Sequence, residues 1–145
     1  MMTSWSERIP KKVESLNFRL KEKYDDIRSK ERRFEHFRAD QDYEYLIVAF
    51  GSLARIAKGT VEMANCQGLS TSLFRPITVW PYPYMELKAA AAGAKKVFVF
   101  EMNLGQMLED VKLALEDSDR IEFYGRTGGG VPTSEELLDF MQSKV

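Results

Sequence analysis

One pattern constrains this chain more than any other: a short, unbroken apolar run followed at once by a helical spacing of apolar residues, repeated along the sequence. Tyr45-Leu-Ile-Val-Ala-Phe50 is the first run, of the kind expected for a strand covered on both faces. Gly51-Ser52 turns the chain, with Ser52 placed as a helix N-cap. Leu53, Ile56, Ala57, Thr60, Val61 and Ala64 follow at i, i+3, i+4, i+7, i+8 and i+11, which gives a helix with one buried face. Gln67-Gly68 closes it, glycine being free to take the left-handed conformation.

The pattern recurs. Residues 69–74 and Lys96–Phe100 read as the second and third strands, with a short alanine-rich helix over about 84–93 between them. After Glu101-Met-Asn-Leu-Gly-Gln106 comes a helix whose buried face is Met107, Leu108, Val111, Ala114 and Leu115. Ile121–Tyr124 is the fourth strand, leading into Gly125-Arg-Thr-Gly-Gly-Gly130. The last helix opens on a capping box, Thr133 with Glu136. Four strand-to-helix steps in succession predict an α/β fold: an open, mainly parallel β-sheet flanked by helices, joined by right-handed crossovers.

Ahead of this body, residues 10–38 read as one long helix. Val13, Leu16, Leu20, Tyr24 and Ile27 form a single narrow stripe. Pro10 suits the first turn, and Phe34 and Phe37 continue the apolar face past the charged Ser29–Arg33 run. So narrow a stripe cannot form a core by itself. It must lie on the rest of the chain, on a second copy to give a homodimer, or on something missing. The expected organisation is a disordered or added start over 1–9, a helical arm or linker over 10–40, and an α/β domain over 41–145.

Composition narrows the function classes. From Glu7 to Arg38 there are eleven Lys/Arg against seven Asp/Glu, while the remainder carries ten against fifteen. A basic arm on an acidic body raises the question of nucleic acid. The acids are interleaved with the bases and no aromatic–basic platform appears, so no nucleic-acid partner is expected. No apolar stretch reaches the length of a bilayer span and the opening residues lack the apolar core of a secretory signal. A cytoplasmic protein without a membrane partner is therefore expected. One cysteine, Cys66, and one histidine, His36, cannot supply an iron–sulfur or structural zinc site. Cys66 reads as a small core residue and His36 as a surface or packing residue of the arm.

In a parallel sheet every strand-to-helix loop emerges on one edge, where ligands usually bind. Here that edge would carry Ser52, Arg75, Glu101, Asn103, Gln106 and Arg126. Two arginines, small polar groups and helix N-termini suit a phosphate or carboxylate. The plainer reading is favoured: Ser52 and Asn103 are caps, and the arginines pair with acids of a partner subunit. Gly51-Ser-Leu-Ala-Arg is not the dinucleotide pattern, and Gly125-Arg-Thr-Gly-Gly-Gly lacks the lysine and hydroxyl that end a phosphate-binding loop. Glu101 could act as a general base, but no partner lies close in sequence, and an anchor that accepts backbone N–H groups or an arginine is favoured. Arg75-Pro-Ile-Thr-Val-Trp-Pro-Tyr-Pro-Tyr84 packs three prolines and three aromatics into ten residues. Trp80, Tyr82 and Tyr84 there either form an exposed interface patch or roof their own core. No catalytic residue is identified.

Taken in order, Tyr43–Gly51, Arg75-Pro-Ile-Thr-Val-Trp-Pro-Tyr-Pro83, Glu101-Met-Asn-Leu-Gly-Gln106 and Tyr124-Gly-Arg-Thr-Gly-Gly129 resemble the alpha subunits of the 2-oxoacid:ferredoxin oxidoreductases, over about residues 9–142. Phe34-Glu-His-Phe followed by Asp42-Tyr-Glu-Tyr-Leu-Ile-Val-Ala looks most like the 2-ketoisovalerate branch, with the 2-oxoglutarate branch next. The resemblance implies a transketolase C-terminal-like domain. Enzymes of that family decarboxylate a 2-oxoacid on thiamine diphosphate with magnesium, pass electrons through iron–sulfur clusters to ferredoxin, and release an acyl-CoA. The family's pyrimidine-binding domain has no counterpart in these residues, nor do its ligands for diphosphate, magnesium or clusters. The implied role is structural: organising contacts with thiamine-binding and ferredoxin-like subunits, in an assembly that uses coenzyme A and ferredoxin, with no catalysis by this chain alone. Two alternatives stay open: a free-standing protein-interaction domain, and a binder of a small anion at the loop edge.

Overall fold

The computed structural model describes residues 5–39 and 42–145. A helix α1 (Trp5–Lys30) leads into a short strand β1 (Phe34–Phe37). Then follow β2 (Tyr45–Ala49), α2 (Gly51–Cys66), β3 (Thr71–Pro76), α3 (Tyr84–Ala91), β4 (Lys96–Glu101), α4 (Gln106–Leu115), β5 (Ile121–Gly125) and α5 (Ser134–Gln142). The strand order is β1-β3-β2-β4-β5. β3, β2, β4 and β5 run parallel, and β1 is antiparallel on the outer side of β3. This is the expected open, mainly parallel sheet.

The alternation of side chains along each strand sorts the core into two layers. Leu46, Val48, Phe74, Val97 and Val99 point to one side, against Leu87 and Ala91 of α3 and Met107 and Val111 of α4. Ile47, Ala49, Leu73, Phe98 and Phe100 point to the other, against α2 and against Leu137 and Met141 of α5. Both faces are covered, which is why the strands read as continuous apolar runs. Phe98 and Phe100 have no exposure, and truncating either to alanine would cost about 3–5 kcal/mol. Of the faces expected on α2 and α4, Ile56 and Leu108 are only half-buried, and the other members are buried.

The arm differs from its expectation. The helix ends at Lys30, and Phe34–Phe37 is a strand registered against Leu73–Pro76 of β3. Phe34 and Phe37 stand three apart, a spacing that fits a helix face, but pairing with the open edge of β3 decides the conformation. Phe34 stacks on Phe74 with ring centroids 5.1 Å apart, while Phe37 packs against the opposite layer. At the other end, residues 1–4 of the expected disordered start lie outside the described residues, and Trp5–Ile9 already belong to α1. The domain boundary expected at 40/41 also falls outside the described residues. Among the described residues, no helix is long and apolar enough to cross a membrane.

Candidate functional site

β2 leads to β3 on one side and β4 lies on the other, so the strand order reverses between β2 and β4. At such a reversal the loops diverge and leave a crevice. Here it measures about 210 Å³ and is lined by Phe50, Val79, Tyr82, Gln106, Met107 and Asp110. Beneath it the Glu101 carboxylate, with no exposure, accepts the N–H groups of Met107 at 2.9 Å and Leu108 at 2.8 Å. Asn103 Oδ1 accepts those of Gly105 at 2.8 Å and Gln106 at 3.0 Å. The four N–H groups that open α4 are therefore all taken by the chain's own side chains. Gly105, at φ +101°, makes the bend that allows it.

The two loop-edge arginines are engaged within the chain, not held free for a partner subunit's acids. Arg75 Nη1 donates to Glu35 Oε2 at 3.2 Å, although its Nε is buried without a partner. Arg126 Nη1 donates to Glu136 Oε2 at 2.7 Å, the carboxylate that also completes the α5 capping box with Thr133. Glu35, brought by β1, also accepts from Lys58. The lysine bond, and after it Arg75, holds its carboxyl below the usual carboxylate range against the opposing effect of burial. Ser52 is not the cap: Phe50 occupies the N-cap position of α2 without a side-chain bond, Gly51 makes the turn at φ +58°, and Ser52 is exposed. Gln106 is exposed on the first turn of α4.

The aromatic segment divides its duties. Tyr82 is 3% exposed and joins the core with its hydroxyl unpartnered; burial, then the neighbouring Asp110, Tyr84 and Glu101, push that hydroxyl's pKa up. The Tyr84 hydroxyl donates to Asp110, which, with burial, pushes its pKa up to about 12. Trp80 is 51% exposed and meets Tyr24 of α1 edge-on, centroids 5.8 Å apart, with Arg28 6.0 Å over its ring. Arg28, Arg32, Trp80, Pro81, Tyr82 and Tyr84 enclose a second hollow of about 300 Å³. Tyr24 was expected on the arm's apolar stripe, but the contribution of Arg28 and Arg32 was missed at the sequence level; the signal was the i, i+4 spacing of Tyr24 and Arg28, which sets both on one helix face.

Two isolated residues are also placed. His36 is on β1, not on a helix, edge-on to Tyr43 at 5.6 Å and to Phe74 at 6.0 Å. Cys66 is exposed at the end of α2 and not part of the core.

Residues 43–137 match the family described as pyruvate:ferredoxin oxidoreductase core domain II. The ketoisovalerate oxidoreductase subunit VorB of Methanothermobacter thermautotrophicus is 36% identical over 127 residues, which cover 88% of this chain and 36% of that protein. The 2-oxoglutarate synthase subunit KorA of Methanocaldococcus jannaschii is 36% identical over 96 residues, covering 66% and 26%. The chain thus spans between about a quarter and a third of the length of these curated relatives. Among solved structures, the 2-oxoglutarate:ferredoxin oxidoreductase of Magnetococcus marinus, with 2-oxoglutarate, coenzyme A and succinyl-CoA bound, shares the fold at a TM-score of 0.68 and 24% identity, covering 77% of this chain and 19% of that one. A split-gene transketolase, an inactive beta4 tetramer, shares it at 0.62 and 15%, covering 77% and 40%.

Proposed function

Because this chain belongs to the pyruvate:ferredoxin oxidoreductase core domain II family, we propose that it is the structural, subunit-organising domain of a thiamine-diphosphate-dependent 2-oxoacid:ferredoxin oxidoreductase. The assembled enzyme would decarboxylate its 2-oxoacid oxidatively, giving the acyl group to coenzyme A and the electrons to ferredoxin. The ketoisovalerate type is favoured because likeness to those subunits extends further along the chain than likeness to the 2-oxoglutarate subunits. In this reading the chain works in the cytoplasm with thiamine-binding and ferredoxin-like subunits, and is inactive alone.

Thiamine diphosphate and magnesium would supply the decarboxylation chemistry, and iron–sulfur clusters the electron path. The residues of this chain do not fit those groups. The N–H groups at the start of α4 and the guanidiniums of Arg75 and Arg126 are already bonded. Among the described residues no three His, Cys, Asp or Glu side chains gather where they could hold a metal. These groups are assigned to other parts of the enzyme.

The observation that carries the proposal is the apolar surface running from the arm to the aromatic segment. Val13, Leu16 and Tyr24 on α1 are each about half exposed, as are Ile77, Val79 and Trp80. A helix in water does not keep such a stripe open without a partner. The test is light scattering over a concentration series, of the chain alone and mixed with the thiamine-binding part of the same enzyme. A complex is the expected result. A clean monomer that ignores the added domains at every concentration would overturn the proposal.

A further inference from the structure

The loop-edge arginines are hydrogen-bonded within the chain, but two others are held only by looser contacts. Arg28 lies 3.6 Å from Asp25 and 6.0 Å over the Trp80 ring, and Arg32 lies 3.6 Å from Glu86; among the described residues neither guanidinium makes a hydrogen bond. Both line the 300 Å³ hollow between the end of α1 and the aromatic segment. Guanidiniums with spare donors are the usual anchors for phosphate, which they grip in pairs. The opposite wall is Trp80, Pro81, Tyr82 and Tyr84, a set of flat surfaces on which a ring can stack. The volume is at the lower end of small-ligand sites.

We infer that this hollow binds a ligand of the nucleoside monophosphate class, with the phosphate between Arg28 and Arg32 and the ring against the Trp80 and Tyr84 side chains. The positive balance of the arm would draw such an anion in. Because one wall is α1 and the other the body, occupancy fixes the arm on the domain. The inference does not depend on the assembly proposed above, since it is read on the chain alone.

The experiment is calorimetric titration of the chain with AMP, GMP, CMP and UMP at low salt, with adenosine and inorganic phosphate as separate probes. At least one nucleotide is expected to saturate below about 1 mM, about tenfold tighter than adenosine or phosphate. The Arg28→Ala/Arg32→Ala pair should weaken it about tenfold or more, with an unchanged circular dichroism spectrum. No saturation by any nucleotide up to about 10 mM, binding unchanged in the double arginine variant, or adenosine binding as tightly as AMP would each overturn the inference.

Discussion

The fully buried carboxylate of Glu101, the last residue of β4, accepts the backbone N–H of Met107 at 2.9 Å, so the strand holds the first turn of the helix that follows it. Its other oxygen takes the N–H of Leu108. Glu101→Ala would leave two buried donors without partners and a gap behind them. The expected cost is about 3 kcal/mol or more, read as a lowered urea midpoint. Glu101→Gln keeps one acceptor oxygen and should lose less. If the alanine variant unfolds at the parent's urea concentration, Glu101 is not an anchor.

The parallel body was legible because its central strands β2 and β4 are buried on both faces, which leaves unbroken apolar runs, and its helices on one, which leaves a 3.6-residue stripe. Glu101 was legible as an anchor because a single carboxylate ending such a strand, with no base beside it, has only N–H groups or an arginine to satisfy it. The β1 strand was not legible. Its four residues are too few to show a period, and their conformation is set by the exposed edge of β3, some forty residues away. For the same reason Glu35 could not be foreseen as the partner of Arg75, because the two meet only through that pairing. Ser52 was misread because Gly51, which turns at positive φ, starts the helix one residue earlier than a side-chain cap would require.

Gly59 lets α2 and α5 touch. A Cβ at this position would lie 2.6 Å from Ser134 Oγ, and that hydroxyl donates to the Ile56 carbonyl at 3.0 Å. Alanine inside a helix ordinarily gains up to about 1 kcal/mol over glycine. Here Gly59→Ala should instead destabilise by about 1–2 kcal/mol through overpacking. Removing the hydroxyl as well, in Gly59→Ala/Ser134→Ala, should recover part of that loss, giving a coupling of about 1 kcal/mol in a double-mutant cycle. Strict additivity would mean that the helices separate freely and the contact is unimportant.

Trp80 joins the arm to the body through Tyr24 and Arg28 while leaving half its surface open. For the isolated chain, Trp80→Ala should cost only about 1 kcal/mol, the scale of one exposed aromatic pair. Amide exchange over residues 20–30 should speed up as the arm loosens. Association with the thiamine-binding domains should fall by a larger factor than the chain's own stability. A fall in melting temperature of more than about 8 °C in the isolated chain would make Trp80 a core residue and sink its interface role.

His36 ties stability to pH. Its Nε2 is buried without a hydrogen-bond partner, and the rings of Tyr43 and Phe74 pack against it. Glu35, the adjacent carboxylate, is engaged with Lys58 and Arg75. Burial holds the imidazole's pKa below the ordinary histidine value of about 6.5. The unfolded chain therefore takes up the proton first as pH falls. Stability should be level above about pH 7 and decline as pH drops through 6.5 toward the lower folded value. Carboxylates such as Glu35, held low chiefly by Lys58, titrate further down and leave this window to the histidine. The urea midpoint should accordingly fall between about pH 7.5 and 5.5, and His36→Phe, which keeps a ring on Phe74, should flatten that slope. A slope that survives the substitution would show that another group titrates, and β1 would then hold to the sheet independently of the charge on His36.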